Sequence, residues 1–138
     1  ELHPDDIEDL LYRHHVGQLA CVVDGDPYMV PITYLYNGHS LYGHTVEGRK
    51  VRAMRTHPAI SFGVQEHDEP DSWRSVVVEG VFEEITGETD RSAVREMLEH
   101  VGPQVRPGAE GVFFRIHLTH RSGRWLRTGH GTEEDDDL

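Results

Sequence analysis

Two turn signatures constrain this chain more than any other feature in it. Asp24-Gly25-Asp26 and Asn37-Gly38 each interrupt runs of apolar and β-branched residues. Short turns of this composition close antiparallel hairpins, because residues that accept positive φ match the twist of paired strands. They link residues 18–23 to 27–36, and 27–36 to 40–44. Residues 59–65 and 73–85 read as two more strands, with Gly80 as a bulge or bend. Residues 112–118 alternate cleanly between Val112, Phe114, Ile116, Leu118 and the opposite face, and a short strand over 123–127 follows. Helices are expected at 4–13, 48–55 and 90–101, from N-terminal acids, apolar spacing, and the Pro and Gly stops. Residues 67–71 and 104–111 read as loops. About six strands joined mainly by tight turns predict a mainly β fold, a six-stranded antiparallel barrel with two or three short helices.

Length and charge bound what such a barrel can do. With 138 residues the chain suits one domain, assigned to residues 1–132. Residues 133–138, almost all acidic, are expected to be a disordered tail. The net charge of −12 opposes phosphate backbones, so nucleic acid and anionic membranes are not expected partners. Arginine supplies every cation but one, which suits either a high-salt cytoplasm or GC-rich codon usage. Cys21 has no internal disulfide partner and lies in an apolar run, the setting of a buried small hydrophobe. No apolar run approaches a membrane span and no leader pattern stands at the start, so the expected compartment is the cytoplasm.

The familiar phosphate-loop, zinc-protease, dinucleotide and nucleophile-elbow motifs are absent. The 11 histidines do not fall at metal-ligand spacings, and no metal site is expected. What stands out is Leu41-Tyr-Gly-His-Thr-Val-Glu-Gly-Arg-Lys50, which holds the one lysine of the chain. If 40–44 is a strand and Gly48 opens a helix, Arg49 and Lys50 occupy the first turn, where the amide end is already positive. A bound phosphate resolves the conflict: amides, two cations and the Thr45 hydroxyl would converge on it, and Gly48 would allow close approach. The alternative is a solvated pair, or one neutralised by Glu47.

The run from Val16 through Ile85, most specifically Val30-Pro31-Ile32-Thr33-Tyr34, His44-Thr45, Glu47-Gly48-Arg49-Lys50 and the strand after His57-Pro58, strongly resembles the pyridoxamine 5'-phosphate oxidase-like FMN-binding split barrels. Within them it looks closest to the nitroimidazole-resistance branch. The resemblance implies a homodimer with two FMN sites between subunits and a flavin-dependent oxidoreductase acting on a small molecule, with NAD(P)H a possible electron donor. It places the FMN phosphate on Arg49 and Lys50 with Thr45, and the isoalloxazine along Pro31, Ile32 and Thr33, mostly through backbone. Trp73 and Ser75, then Trp125 and Arg127, are candidates from across the dimer. His44 matches a histidine near the flavin cleft of the nitroimidazole-resistance relatives, as a catalytic candidate or as a hydrogen-bonding partner of the cofactor. The C-terminal segment spaces Arg127 and His130 unlike pyridoxamine phosphate oxidases proper, so that reaction is not expected. Related barrels carry haem or F420 instead, and a non-catalytic flavin or haem carrier or sensor is the alternative function.

Overall fold

The computed structural model describes residues 1–101 and 110–127. In chain order these form α1 (Pro4–Arg13), β1 (Val16–Val23), β2 (Asp26–Tyr36), β3 (Ser40–Thr45) and α2 (Arg49–Thr56). Then come β4 (Ala59–Glu69), β5 (Ser72–Ile85), α3 (Glu88–Glu99) and β6 (Val112–Arg127). The six strands pair antiparallel into a ring ordered β1-β2-β3-β6-β5-β4. The hairpin turns lie where the sequence puts them, with Asp24 at φ 54°, Gly25 at 84° and Gly38 at 101°.

Two expectations are corrected. Residues 112–118 and 123–127 are one strand, β6, which pairs continuously with β5. The polar stretch at 119–122 looks like a gap because a bulge opposite Glu79 and Gly80 shifts the register there. Gly80 is required at that bend, since a Cβ would stand 2.5 Å from the His117 carbonyl oxygen. Residues 67–69 likewise belong to β4 rather than to a loop, and the hairpin into β5 turns at Pro70 and Asp71. The expected loop over 104–111 lies mostly outside the described residues, and the acidic tail lies wholly outside them.

The barrel interior packs Leu19, Tyr34, Leu41, Phe62, Val78, Phe114 and Ile116 into one cluster. α1 closes one end, burying Ile7, Leu10 and Leu11; full burial of each such side chain stabilises by about 1.5–3 kcal/mol. Tyr34 donates to the Leu11 carbonyl at 2.8 Å, and burial pushes its hydroxyl pKa far up. α3 packs outside the barrel, where Val94 and Leu98 meet Tyr42, Ile85 and Phe113. α2 buries Val51 and Met54 and packs on β1. No described helix is long and apolar enough to cross a membrane.

Two of the ladders are short: β1 pairs with β4 only through Gln18, Leu19 and Ala20, and β2 with β3 over three residues. β2 pairs with β1 from Asp26 to Thr33, but with β3 only through Tyr34, Leu35 and Tyr36. β3 ends at Thr45 and the chain turns into α2. The second edge of β2 from 26 to 33 therefore lacks a ladder partner among the described residues, and exposed backbone donors and acceptors of this kind invite another group to pair with them.

Candidate functional site

The open corner collects the residues singled out in the sequence. Gly48 caps α2 without a side-chain hydrogen bond, and no acidic residue occupies the first turn. The helix end therefore presents amides, Arg49 and Lys50 with no acidic side chain of its own first turn to offset them. Gly48 is extended, with φ 178°, so its conformation suits any residue. A Cβ there would meet nothing within 4 Å, so the chain's own packing does not demand the glycine. Its effect is to leave room over the amides.

Lys50 is half-buried and its Nζ donates to Thr45 Oγ1 at 2.6 Å. Burial lowers its pKa, partly countered by the neighbouring Cys21 thiol. Among the described residues no carboxylate forms an ion pair with it. Arg49 instead reaches across to the β1–β2 turn, 2.7 Å from the Asp24 carboxylate, with both side chains well exposed. Glu47 does not neutralise either cation: Arg55, in the last turn of α2, holds it at 2.8 Å and 2.9 Å and also binds Glu84. That clamp lowers the Glu47 pKa.

A cleft of about 340 Å³ lies over this corner, lined by Pro27, Tyr28, Val46, Gly48, Arg49 and Lys50 among others. Tyr28 is 43% exposed and Val46 67%, so apolar surface stands beside a cationic anchor. Cations with adjacent flat apolar wall suit a phosphate attached to a ring system. A larger groove of about 890 Å³ adjoins it on the far side of Arg49.

The structure brings Thr45, Arg49 and Lys50 together and separates the other candidates. Pro31 and Thr33 lie farther along β2 with outward or partial exposure, while Ile32 is buried in the barrel. Only its backbone reaches the open edge. His44 faces away from Thr45: it shares the outer face of β3 with Tyr42, stacks 4.6 Å from Phe113, and donates to the Glu110 carbonyl at 2.7 Å. A Cβ on Gly111 would come within 2.7 Å of its Nε2, so that glycine is what lets the loop close on the ring. Trp73 and Ser75 sit toward the opposite end of β5 from Ile85, the residue paired with Phe113 beside β3. Trp73 stacks on His67 at 5.2 Å and its buried indole nitrogen has no hydrogen-bond partner within the described residues. Trp125 is 54% exposed at that same end, and the Arg127 side chain lies outside the described residues. One protomer cannot assemble them with Lys50. Tyr28 and Val46 were not singled out in the sequence, and Asp24 was read there only as a turn residue; a valine directly before Glu47-Gly48 was the available signal.

Residues 3–125 match the model of the pyridoxamine 5'-phosphate oxidase family. The chain belongs to that family. Among solved structures, an FAD-binding protein from Mesorhizobium loti is 36% identical, superposes with a TM-score of 0.79, and covers 91% of this chain and 96% of its own. A protein from Bacteroides thetaiotaomicron described as a 5-nitroimidazole antibiotic resistance protein shares the fold, with a TM-score of 0.74 at 16% identity over 91% of this chain and 85% of its own. An uncharacterized protein of Rhizobium meliloti is 40% identical over 70 residues, 51% of this chain. This chain spans about half of that relative, 46% of its length.

Proposed function

We propose that this family member binds a flavin through its FMN unit and works as a flavin-dependent oxidoreductase on a small molecule. The observation that carries the reading is Lys50, a half-buried ammonium held by Thr45 at 2.6 Å beside the positive end of α2, with no carboxylate paired to it among the described residues. A phosphate dianion satisfies both the ammonium and the uncapped amides. The neighbouring β2 edge offers backbone donors and acceptors for the polar rim of a ring system, and Tyr28 and Val46 offer it apolar wall. Flavin supplies hydride and electron transfer; the chain supplies the anchor, the orientation and the cleft.

The same reading makes the protein a homodimer. The outer face of β1, β2, β4 and β5 carries Val16, Val22, Met29, Val77 and Val81 at 39–66% exposure, with the small residues Ala20, Ser61 and Gly63 in register between them. A second copy would cover that face and could bring Trp73, Ser75 and Trp125 toward the open corner.

Titration of the purified apoprotein with FMN and riboflavin, followed by stopped-flow reduction with NADH or NADPH, tests the reading. Preferential binding of FMN and rapid bleaching with reoxidation are expected. Flavin bound but never turned over would make the protein a carrier, and equal affinity for FMN and riboflavin would remove the phosphate anchor. Sedimentation showing a monomer that still binds FMN would remove the dimer.

A further inference from the structure

Lys50 is the sole lysine of the chain and so its sole side-chain amine. It lines the cleft of about 340 Å³ together with Gly48 and Arg49. Its Nζ lies 2.6 Å from Thr45 Oγ1, and no carboxylate pairs with it among the described residues. An exposed lysine stays protonated at neutral pH and is a poor nucleophile. Lys50 is half-buried, and burial lowers its pKa, so more of it is present as the free amine. One N–H donated to Thr45 fixes the nitrogen and leaves its lone pair available. The neighbouring Cys21 thiol is buried, and burial raises its pKa, so it stays protonated and does not compete. Arg49 is ion-paired with Asp24, with both side chains well exposed, a contact that a multiply charged anion can displace.

A nucleophilic amine next to such an arginine suits an electrophile that carries its own phosphate. We infer that Lys50 is a site of spontaneous acylation by small acyl phosphates, the phosphate held by Arg49 and the free amides of α2 while Nζ attacks the acyl carbon. The Nζ lone pair forms the C–N bond, the acyl C–O bond breaks, and its electrons leave with inorganic phosphate. That phosphate takes the amine proton, and no oxidant or reductant takes part. The product is a neutral amide, so the modification removes the ammonium from the cleft. The inference rests on the phosphate anchor of the flavin reading and on no flavin.

The test incubates the full chain with acetyl phosphate or with the neutral donor p-nitrophenyl acetate. Intact mass counts the acetyl groups added, and a lysine-specific protease, which has one site in this chain, reports whether Lys50 is blocked. The amino-terminal amine is the internal reference, since its ordinary pKa lies well below that of an exposed lysine. Acetyl phosphate should modify Lys50 at least about fivefold faster than the amino terminus, with a rate that saturates in donor. Inorganic phosphate should slow that reaction by about five- to tenfold and leave the rate with p-nitrophenyl acetate within about twofold. Lys50→Arg should abolish the side-chain adduct. Modification of Lys50 no faster than the amino terminus, or a rate linear in donor and indifferent to phosphate, would overturn the inference. Protection of Lys50 by FMN but not by riboflavin is expected. Saturating, phosphate-sensitive acetylation that FMN leaves untouched would keep the acylation site and remove the flavin anchor.

Discussion

The two ends of α2 treat their cations in opposite ways. Arg55, in the last turn, sits where the helix dipole favours positive charge and is gripped by Glu47 and Glu84 at 2.7–3.1 Å. Lys50, in the first turn, sits where the dipole opposes it, is half-buried, and has a hydroxyl for a partner. Among the described residues, Arg49 beside it has an exposed ion pair with Asp24 and no other. A folding chain gains from the first arrangement and loses from the second. A helix that is well paired at one end and electrostatically frustrated at the other has its frustrated end set by something other than stability, and functional sites are where such local conflicts concentrate.

The largest expected break of that comparison is Lys50→Ala. A charge-assisted contact to phosphate is worth about 1.5–3 kcal/mol, so the FMN dissociation constant should rise roughly ten- to a hundredfold while riboflavin affinity holds. Equal losses for the two ligands would mean that the helix start had collapsed. Arg55→Ala should leave both affinities unchanged.

A pH titration sharpens the same point. Burial holds the Lys50 pKa below the ordinary lysine value, and a bound dianion would raise it. FMN affinity should therefore be complete at neutral pH and fall as pH rises through the lowered pKa, by up to about tenfold per unit. Riboflavin in parallel, and the Lys50→Ala variant, should show a much flatter profile; an identical slope in all three would remove Lys50 as the titrating group.

Asp24→Asn tests the Arg49 side. Removing a carboxylate that competes for Arg49 should tighten FMN by about two- to fivefold, read by the same titration. Weaker binding would show that Asp24 positions Arg49 instead of restraining it.

The smallest effect belongs to the paired end. Arg55→Ala should lower the thermal midpoint slightly at neutral pH. Glu47's folded pKa is depressed, first by its hydrogen bonds from Arg55. Its contribution is thus present above the unfolded carboxylate pKa and lost as pH falls through the folded value. The midpoint gap between parent and variant should close on acidification, and a gap constant down to low pH would assign it to lost packing.

The sequence by itself determined what depends on near neighbours. Asn37-Gly38 and Asp24-Gly25 specify their turns through backbone conformation, alternation over 112–118 specifies an inward face, and Gly48-Arg49-Lys50 places two cations on one helix end. Pro4 with Asp5 and Asp6 likewise starts α1 where the structure has it. Tertiary structure decided what depends on register summed around the barrel. Adjacent in sequence, His44 and Thr45 part to opposite faces of β3, so one meets Phe113 and the other Lys50. Glu47, the nearest carboxylate in sequence to Arg49 and Lys50, goes to Arg55, while Asp24 from another hairpin takes Arg49. The early end of the β2–β3 ladder, which leaves the β2 edge open, and the continuity of β6 through its polar stretch follow from strand partners far away in sequence. Propensity acts over a few residues and can place a charge on an element. Which group that charge meets is settled only when distant elements pack, because burial and strand pairing are shared by the whole ring.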